Sequence, residues 1–478
     1  MNIDEILAEY DLIEQTHDLN RIESFLAEHL YLAKEENDQS AIITIYNEMI
    51  GFCRENARYD KGMEYCRDLL VLLDEMSIQN TIPYATSLLN IATFCRDAGF
   101  LKEANIYYLE TLKIYDAKLS PTDIAYASLY NNMALLFEKM GDFVSAIDVL
   151  KKAVGLVMTN PEYRIKKAIS HTNLAMCLMK NEDYDEACYN LDEAIAIFDA
   201  ESEVDYHYGA ALSAMGEIRF IKGEYAEAAE CYKKALGEVK KNTGFSVAYE
   251  LTYQNLCQTL QRFIIDEGVS DEKINKMDHK SLVKWLVWLE WEAFDRVQNE
   301  GGRASCQNDF YTFNIMRSSQ YLTWSDEMIQ SYMNDFIEAG MYGWNLITEK
   351  YGRMEESTAP HRWNEIKDAF PQISEEKRAI IENIVGVQTG MMEEFAKEYP
   401  KASSNTRLIH TSEDTPYVTS YETYLRGEIS TYSDQTLLLY GRFIARLAKD
   451  NVNLAKLIIE NTALMYGYKS IDDMEEKL

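Results

Sequence analysis

Asn132-Met133-Ala134-Leu135-Leu136-Phe137-Glu138-Lys139-Met140-Gly141-Asp142-Phe143-Val144-Ser145-Ala146-Ile147-Asp148-Val149-Leu150-Lys151-Lys152-Ala153 decides the fold of this chain. Its apolar residues recur at three- and four-residue spacing, the period of a helix face. Gly141-Asp142 interrupts that period, so the stretch reads as two helices joined by a tight turn. The same offsets return elsewhere. Upstream stand Asn90-Ile91-Ala92, then Gly99, Ala104 and Tyr108. Downstream come Asn173-Leu174-Ala175 with Glu182, Ala187 and Leu191, and Ala214-Met215-Gly216 with Gly223, Ala228 and Tyr232. A last half-copy opens at Asn255-Leu256-Cys257. The starts at 90, 132, 173, 214 and 255 lie 42, 41, 41 and 41 residues apart. A weaker copy holds Met49-Ile50, Tyr59 and Cys66, and a degenerate helical pair fits residues 4–36. Ala and Gly at matching offsets let two helices cross closely. Gly99, Gly141 and Gly223 suit a turn that needs positive φ, and the aromatic after each is placed to pack back.

This pattern resembles the tetratricopeptide repeat, in a long-helix variety, over about residues 40–262. The resemblance implies helical hairpins stacked into a superhelix, with the first helix of each pair lining a concave groove. Asn90, Asn132, Asn173 and Asn255 share one first-helix position. In peptide-binding members the matching Asn bonds an extended backbone, since an amide offers both donor and acceptor. The alternative is that each Asn bonds the neighbouring repeat and only sets stacking. Arg96, Asp97, Glu138, Lys139, Met176 and Lys180 are further groove candidates, of mixed sign. Cys53 and Cys95 stand at one repeat offset, which marks them as core packing residues.

Composition sets limits on the partner. Of 478 residues, 79 are acidic and 47 basic, a net charge of −32. That disfavours nucleic acid and anionic membrane, which both need clustered Lys and Arg. Only 7 Pro and 21 Gly occur, consistent with an all-α chain. The first residues lack a basic and an apolar region, so no secretory signal is read there. No 18-residue apolar run is present, and the eight Cys include no Cys-x-x-Cys. Free thiols and no leader point to the cytoplasm. Residues 1–270 hold 45 acidic and 24 basic side chains, which favours a basic or neutral peptide partner over an acidic one.

The repeat pattern stops after Phe263. Residues 266–280 are polar and contain Gly268, the candidate boundary. A repeat domain over 1–265 and a second, mainly helical domain over 275–478 follow. All six Trp lie beyond the boundary, at 285, 288, 291, 324, 344 and 363. Helices are expected at 281–299, 304–321, 325–350, 374–397, 419–430, 434–449 and 451–466. Thr419-Ser420-Tyr421-Glu422 fits a capping box, so one starts there.

Polar clusters set this half apart. Trp288, Glu292, Asp295 and Asn299 share one helix face, and Cys306, Phe310, Phe313, Arg317 and Gln320 another. Such faces can bury Glu292, Arg303, Gln307 and Arg317 around a pocket. A later cluster holds Glu422, Tyr424, Arg426 and Glu428. Arg303, Arg317, Arg353 and Arg426 suit a carboxylate or phosphate, and a buried Glu suits acid–base chemistry. A structural ion-pair network accounts for the same residues. Cys306 with His361 or His410 is a further nucleophile pairing. No local metal motif, phosphate loop or dinucleotide fingerprint is present, so no cofactor or metal is expected.

Trp291-Glu292, Asn299, Gly301-Gly302-Arg303, Cys306-Gln307, Met316-Arg317 and Glu422-Thr423-Tyr424-Leu425-Arg426-Gly427-Glu428 resemble bacterial proteins grouped as domain of unknown function 4125. The resemblance implies an intracellular bacterial protein and supplies no reaction. Three functions follow. The first is a repeat scaffold that binds a peptide or protein, with a polar ligand pocket in its C-terminal domain. The second is a cytoplasmic enzyme acting on a polypeptide or small anionic substrate. The third is a peptide-responsive regulator.

Overall fold

The structure, a computed structural model, describes residues 2–14, 18–157, 163–201, 206–266, 277–299 and 301–478. Most of the candidate boundary at 266–280 lies outside these residues. Among the described residues there are 24 α-helices and no strand. Helices α1 (Ile3–Glu14) and α2 (Leu19–Glu35) precede the hairpins. These pair α3 (Gln39–Glu55) with α4 (Tyr59–Glu75), α5 (Ile82–Asp97) with α6 (Leu101–Lys118), and α7 (Ala125–Lys139) with α8 (Phe143–Val157). Next come α9 (Arg164–Lys180) with α10 (Tyr184–Asp199), followed in the chain by α11 (Tyr206–Ile221) and α12 (Tyr225–Thr243). Helix α13 (Val247–Leu260) opens a last half-repeat.

The repeat chemistry does what its spacing requires. Ala92, Ala104, Ala134, Ala146, Ala175, Ala187 and Ala228 are all fully buried, so each hairpin closes over methyl groups. The turn residues Gly99, Gly141 and Gly223 have φ of +88°, +77° and +78°. In the third copy Glu182 takes the same turn at φ +62°. A β-carbon is strained there, so Glu182→Gly is expected to raise stability by about 0.5–1 kcal/mol in urea unfolding. A loss of stability would show that the Glu182 turn is not strained. The turn aromatics differ among copies. Tyr225 packs edge-on against Phe220 at 5.3 Å, whereas Phe100 is exposed.

Two compact units divide at Ile218 and Arg219, inside α11. The second takes in α12 and α13. Tyr232, Tyr249, Tyr253, Cys257 and Leu260 share one core with Leu286, Leu289, Tyr332, Met333 and Phe336 of the following helices. Gly340 makes this possible: a β-carbon there would sit 2.7 Å from the Tyr253 ring and 2.8 Å from Cys257 Sγ.

The remaining helices are α14 (His279–Asp295), α15 (Phe310–Tyr321), α16 (Asp326–Met341), α17 (Leu346–Thr358), α18 (Pro360–Ile366) and α19 (Glu375–Glu398). After them run α20 (Pro400–Ser404), α21 (Tyr421–Ser430), α22 (Asp434–Lys449), α23 (Leu454–Met465) and α24 (Ile471–Lys477). The single helix expected over 325–350 is two. Gly343, at φ +70°, ends the first, and the Asn345 side chain caps the second by accepting from the Ile347 and Thr348 amides. Between the helices expected at 325–350 and 374–397 stands a further helix, α18, with Pro360 as its first residue, where a missing N–H costs nothing. Helix α21 starts one residue later than the capping pattern places it. Ser420 is the cap, accepting from the Thr423 amide at 3.2 Å, and Glu422 is used elsewhere.

Candidate functional site

The first helices of the repeats carry the Asn series. Asn90 Nδ2 donates to Asn47 Oδ1 at 2.9 Å, and Asn47 Nδ2 to Ser87 Oγ at 3.2 Å. Two repeats on, the motif recurs: Asn173 Nδ2 donates to Asn131 Oδ1 at 3.0 Å, and Asn131 Nδ2 to Ser170 Oγ at 3.0 Å. Asn132 accepts from Arg96 at 3.0 Å, and the Asn255 side chain is exposed. The series therefore ties neighbouring first helices together. Asn90 Oδ1 and Asn173 Oδ1 accept no hydrogen bond from the described residues. Beside this line, Asp97 meets Lys139 at 3.3 Å and Glu138 meets Lys180 at 2.7 Å, so the mixed charges pair one repeat with the next. Asn131 and Asn47 lie one position off the register of the series in their own repeats, which is why spacing alone missed them.

The C-terminal candidates fall into separate groups. The first is a buried ion network. Arg317 Nε donates to Glu290 at 2.6 Å, and its two terminal nitrogens grip Glu428 at 3.1 Å each. Lys350 Nζ reaches Glu428 at 2.5 Å. Tyr321, Gln320 and Tyr432 supply further bonds. Burial would push the Glu428 carboxyl up. The Arg317 and Lys350 charges outweigh burial and hold it far below the usual carboxylate range. Two acids and two bases here balance, and the group is closed to solvent. Tyr424 lies beside it, with Lys350 Nζ 3.9 Å from its ring centre and the Arg407 guanidinium 4.4 Å away.

The second group finishes α14. Gln307 Nε2 donates to the carbonyls of Phe294 and Val297, both at 2.9 Å, and its Oε1 accepts from the Ala304 amide at 2.9 Å. The two donated bonds supply side-chain donors to carbonyls at and just past the C-terminal end of α14. Asp295 pairs with Lys240 and Arg303, and Tyr249 donates to Glu292. Glu292, Arg303 and Gln307 thus meet one another's neighbours but not Arg317 or Glu422. Cys306 is exposed, and neither His361 nor His410 hydrogen-bonds it among the described residues; His361 pairs with Glu365 and His410 with Glu393.

The third group surrounds a cavity of about 430 Å³ between α17, α18, α19 and α21. Glu422 and Arg426 line it, with Arg353, Glu356, Trp363, Arg378 and Glu382. Arg426 holds Glu382 through two bonds of 2.8 and 3.0 Å and Glu422 through one of 2.9 Å. Burial would raise the Glu422 carboxyl, but the Thr411 amide and Arg426 bring it below its ordinary value. Arg353 is fixed by Glu349 at 2.8 Å and by the Pro371 carbonyl at 2.6 Å. Asp414 clamps the floor, accepting from Ser357 at 2.6 Å and Thr423 at 2.5 Å. Arg378, Glu356 and Trp363 were missed in the sequence because each stands alone in an ordinary polar stretch. Among the described residues, no group of three or more His, Cys, Asp or Glu is placed to hold a metal. No helix among them is long and apolar enough to cross a membrane.

Residues 83–157 and 167–237 match the family model for the tetratricopeptide repeat. These residues are tetratricopeptide repeats. Residues 280–476 match the model described as protein of unknown function, DUF4125, so the repeats are followed by a domain of that family. No curated protein matches the chain. Among solved structures, it is similar to BtubC from P. vanneervenii, at 15% identity over 58% of this chain and 97% of that one, with a TM-score of 0.40. It is also similar to the apo quorum sensor NprR from B. thuringiensis, at 12% identity over 71% and 86%, TM-score 0.43. NprR in complex with its cognate peptide NprX gives 14%, 66% and 86%, and 0.40. These likenesses are of fold alone.

Proposed function

We propose that the protein is a cytoplasmic scaffold that binds a basic or neutral peptide segment along the first helices of its repeats, and that the cavity of its C-terminal domain is a ligand site. The observation that carries the first part is a pair of apolar side chains. Leu135 and Met176 stand at equivalent positions of α7 and α9, 37% and 39% exposed. Each lies one turn from Asn132 or Asn173 on the same face. The face thus offers apolar contact beside amide oxygens, the combination that an extended peptide requires. The net negative charge of the repeats selects against acidic segments.

Selection of a random peptide library on the full chain tests this. Enriched sequences are expected to be neutral or basic, and to lose at least about tenfold in affinity to a Leu135→Asp, Met176→Asp variant. Failure to enrich any sequence, or indifference to both substitutions, would overturn the reading. The enzymatic alternative places its chemistry in the same C-terminal domain. There Glu290 and Glu428 are held by cations and Glu292 by Tyr249, whereas Glu356, Glu382 and Glu422 line the cavity.

A further inference from the structure

The cavity bounded by α17, α18, α19 and α21 carries unused groups of both signs. Arg378 on α19 and Glu356 on α17 line it, and neither has a partner among the described residues. Arg353 uses its Nε and Nη2 atoms, and Nη1 donates to nothing described. The hydroxyls are committed in the opposite sense. Ser357 donates to Asp414, and Ser430 donates to the Arg426 carbonyl at 2.6 Å. A hydroxyl whose proton is committed still offers lone pairs, so these oxygens receive donors from a ligand. The cavity therefore presents guanidinium donors for a carboxylate and oxygen acceptors for an ammonium group.

Charge makes the choice sharper. The lining holds three guanidiniums, Arg353, Arg378 and Arg426, and three carboxylates, Glu356, Glu382 and Glu422. A dianion would face Glu356 and a simple cation would face Arg378, each with a like charge in reach. A ligand carrying both charges leaves the balance intact. Trp363, stacked on Phe370 with 6.0 Å between ring centres, adds an apolar wall.

We propose that this cavity binds a small zwitterion, an α-amino acid or a dipeptide, with its carboxylate on Arg378 and its ammonium group on Glu356. The proposal rests on the cavity being a ligand site at all, and the test separates the two. Calorimetric titration of the full chain would use a panel of the common L-amino acids, glycyl-leucine, N-acetyl-leucine, leucinamide and inorganic phosphate. Saturable binding is expected for at least one amino acid or for glycyl-leucine, which tells the two sources apart. Binding should weaken at least about tenfold in Arg378→Gln and separately in Glu356→Gln, since each removes one charge-assisted contact. N-acetyl-leucine and leucinamide, each lacking one charge, should bind at least about tenfold more weakly than the zwitterion. Both substituted residues are exposed, so an unchanged melting midpoint without ligand serves as the folding control. If phosphate or N-acetyl-leucine binds as tightly as any zwitterion, the zwitterion proposal falls and the ligand site stands. If no probe binds, both fall.

Discussion

Arg317→Met is expected to destabilise the C-terminal unit by about 3–5 kcal/mol, the cost of removing one member of a buried ion network. The side chain is 8% exposed and makes bonds to Glu290, Glu428, Tyr321 and Gln320. Met replaces its volume but leaves two carboxylates, 2% and 3% exposed, facing a single cation, Lys350. Glu428 then loses the largest influence that holds its proton off. Glu290 keeps the Tyr321 hydroxyl but loses its ion partner, and Glu428 moves toward the neutral form. The readout is convenient because all six Trp lie between 285 and 363, within this unit. Urea unfolding followed by Trp fluorescence should show a lower midpoint with an unchanged slope. A loss below about 1 kcal/mol would show that the network is dispensable and that packing alone carries this core. The wild-type network also has a pH signature. Glu428 is depressed in the folded state, so its contribution is present above the ordinary carboxylate value of 4.5 and fades as pH falls below it.

The repeats were legible because their constraint is local. A turn that needs positive φ and a crossing that needs a methyl group recur at fixed offsets, so Gly99, Gly141 and Ala134 announce themselves. The Asn series was equally visible, and the structure adds what spacing does not contain: Asn90 and Asn173 bond to Asn47 and Asn131, each in the preceding repeat. The C-terminal domain is different because its pairings are long-range. Arg317 and Glu428 are 111 positions apart, and nothing in either neighbourhood says that they meet. The residue types show that polar clusters are present, and not which of their members meet. Three-dimensional packing then sorted them into a closed network, a helix end and an open cavity. Glu422 and Arg426 reach the cavity, whereas Glu428 lies two residues beyond Arg426 on α21 and points to the core. Helix geometry explains the split, since neighbours two apart face away from each other.

Asp335 should show the opposite pH behaviour to Glu428, and removing its charge is the second large effect. It lies on α16, 8% exposed, and its Oδ2 accepts from the Ser433 amide at 3.0 Å. Burial pushes its carboxyl up to about 6 from 3.8, with the Ser433 and Thr436 bonds opposing. Because the folded value lies above the unfolded one, the acid does no harm below 3.8. Between 3.8 and 6 the unfolded chain releases a proton that the folded chain keeps, and stability falls. Above 6 the loss is complete, on the order of 3 kcal/mol. Asp335→Asn retains an oxygen for the Ser433 amide and cannot ionise. Its extra amide hydrogens need partners in a buried place, which takes back part of the gain. The variant is therefore expected to exceed wild type by about 1–3 kcal/mol at pH 7.5 and to equal it or fall below it near pH 3.5, where only the amide cost remains. The difference between the two urea curves should open as pH rises from about 4 to about 6. An advantage independent of pH would trace the effect to packing instead of charge. A deficit at pH 7.5 would mean that the ionised carboxylate, bonded at the first turn of α22, is worth more than its desolvation costs.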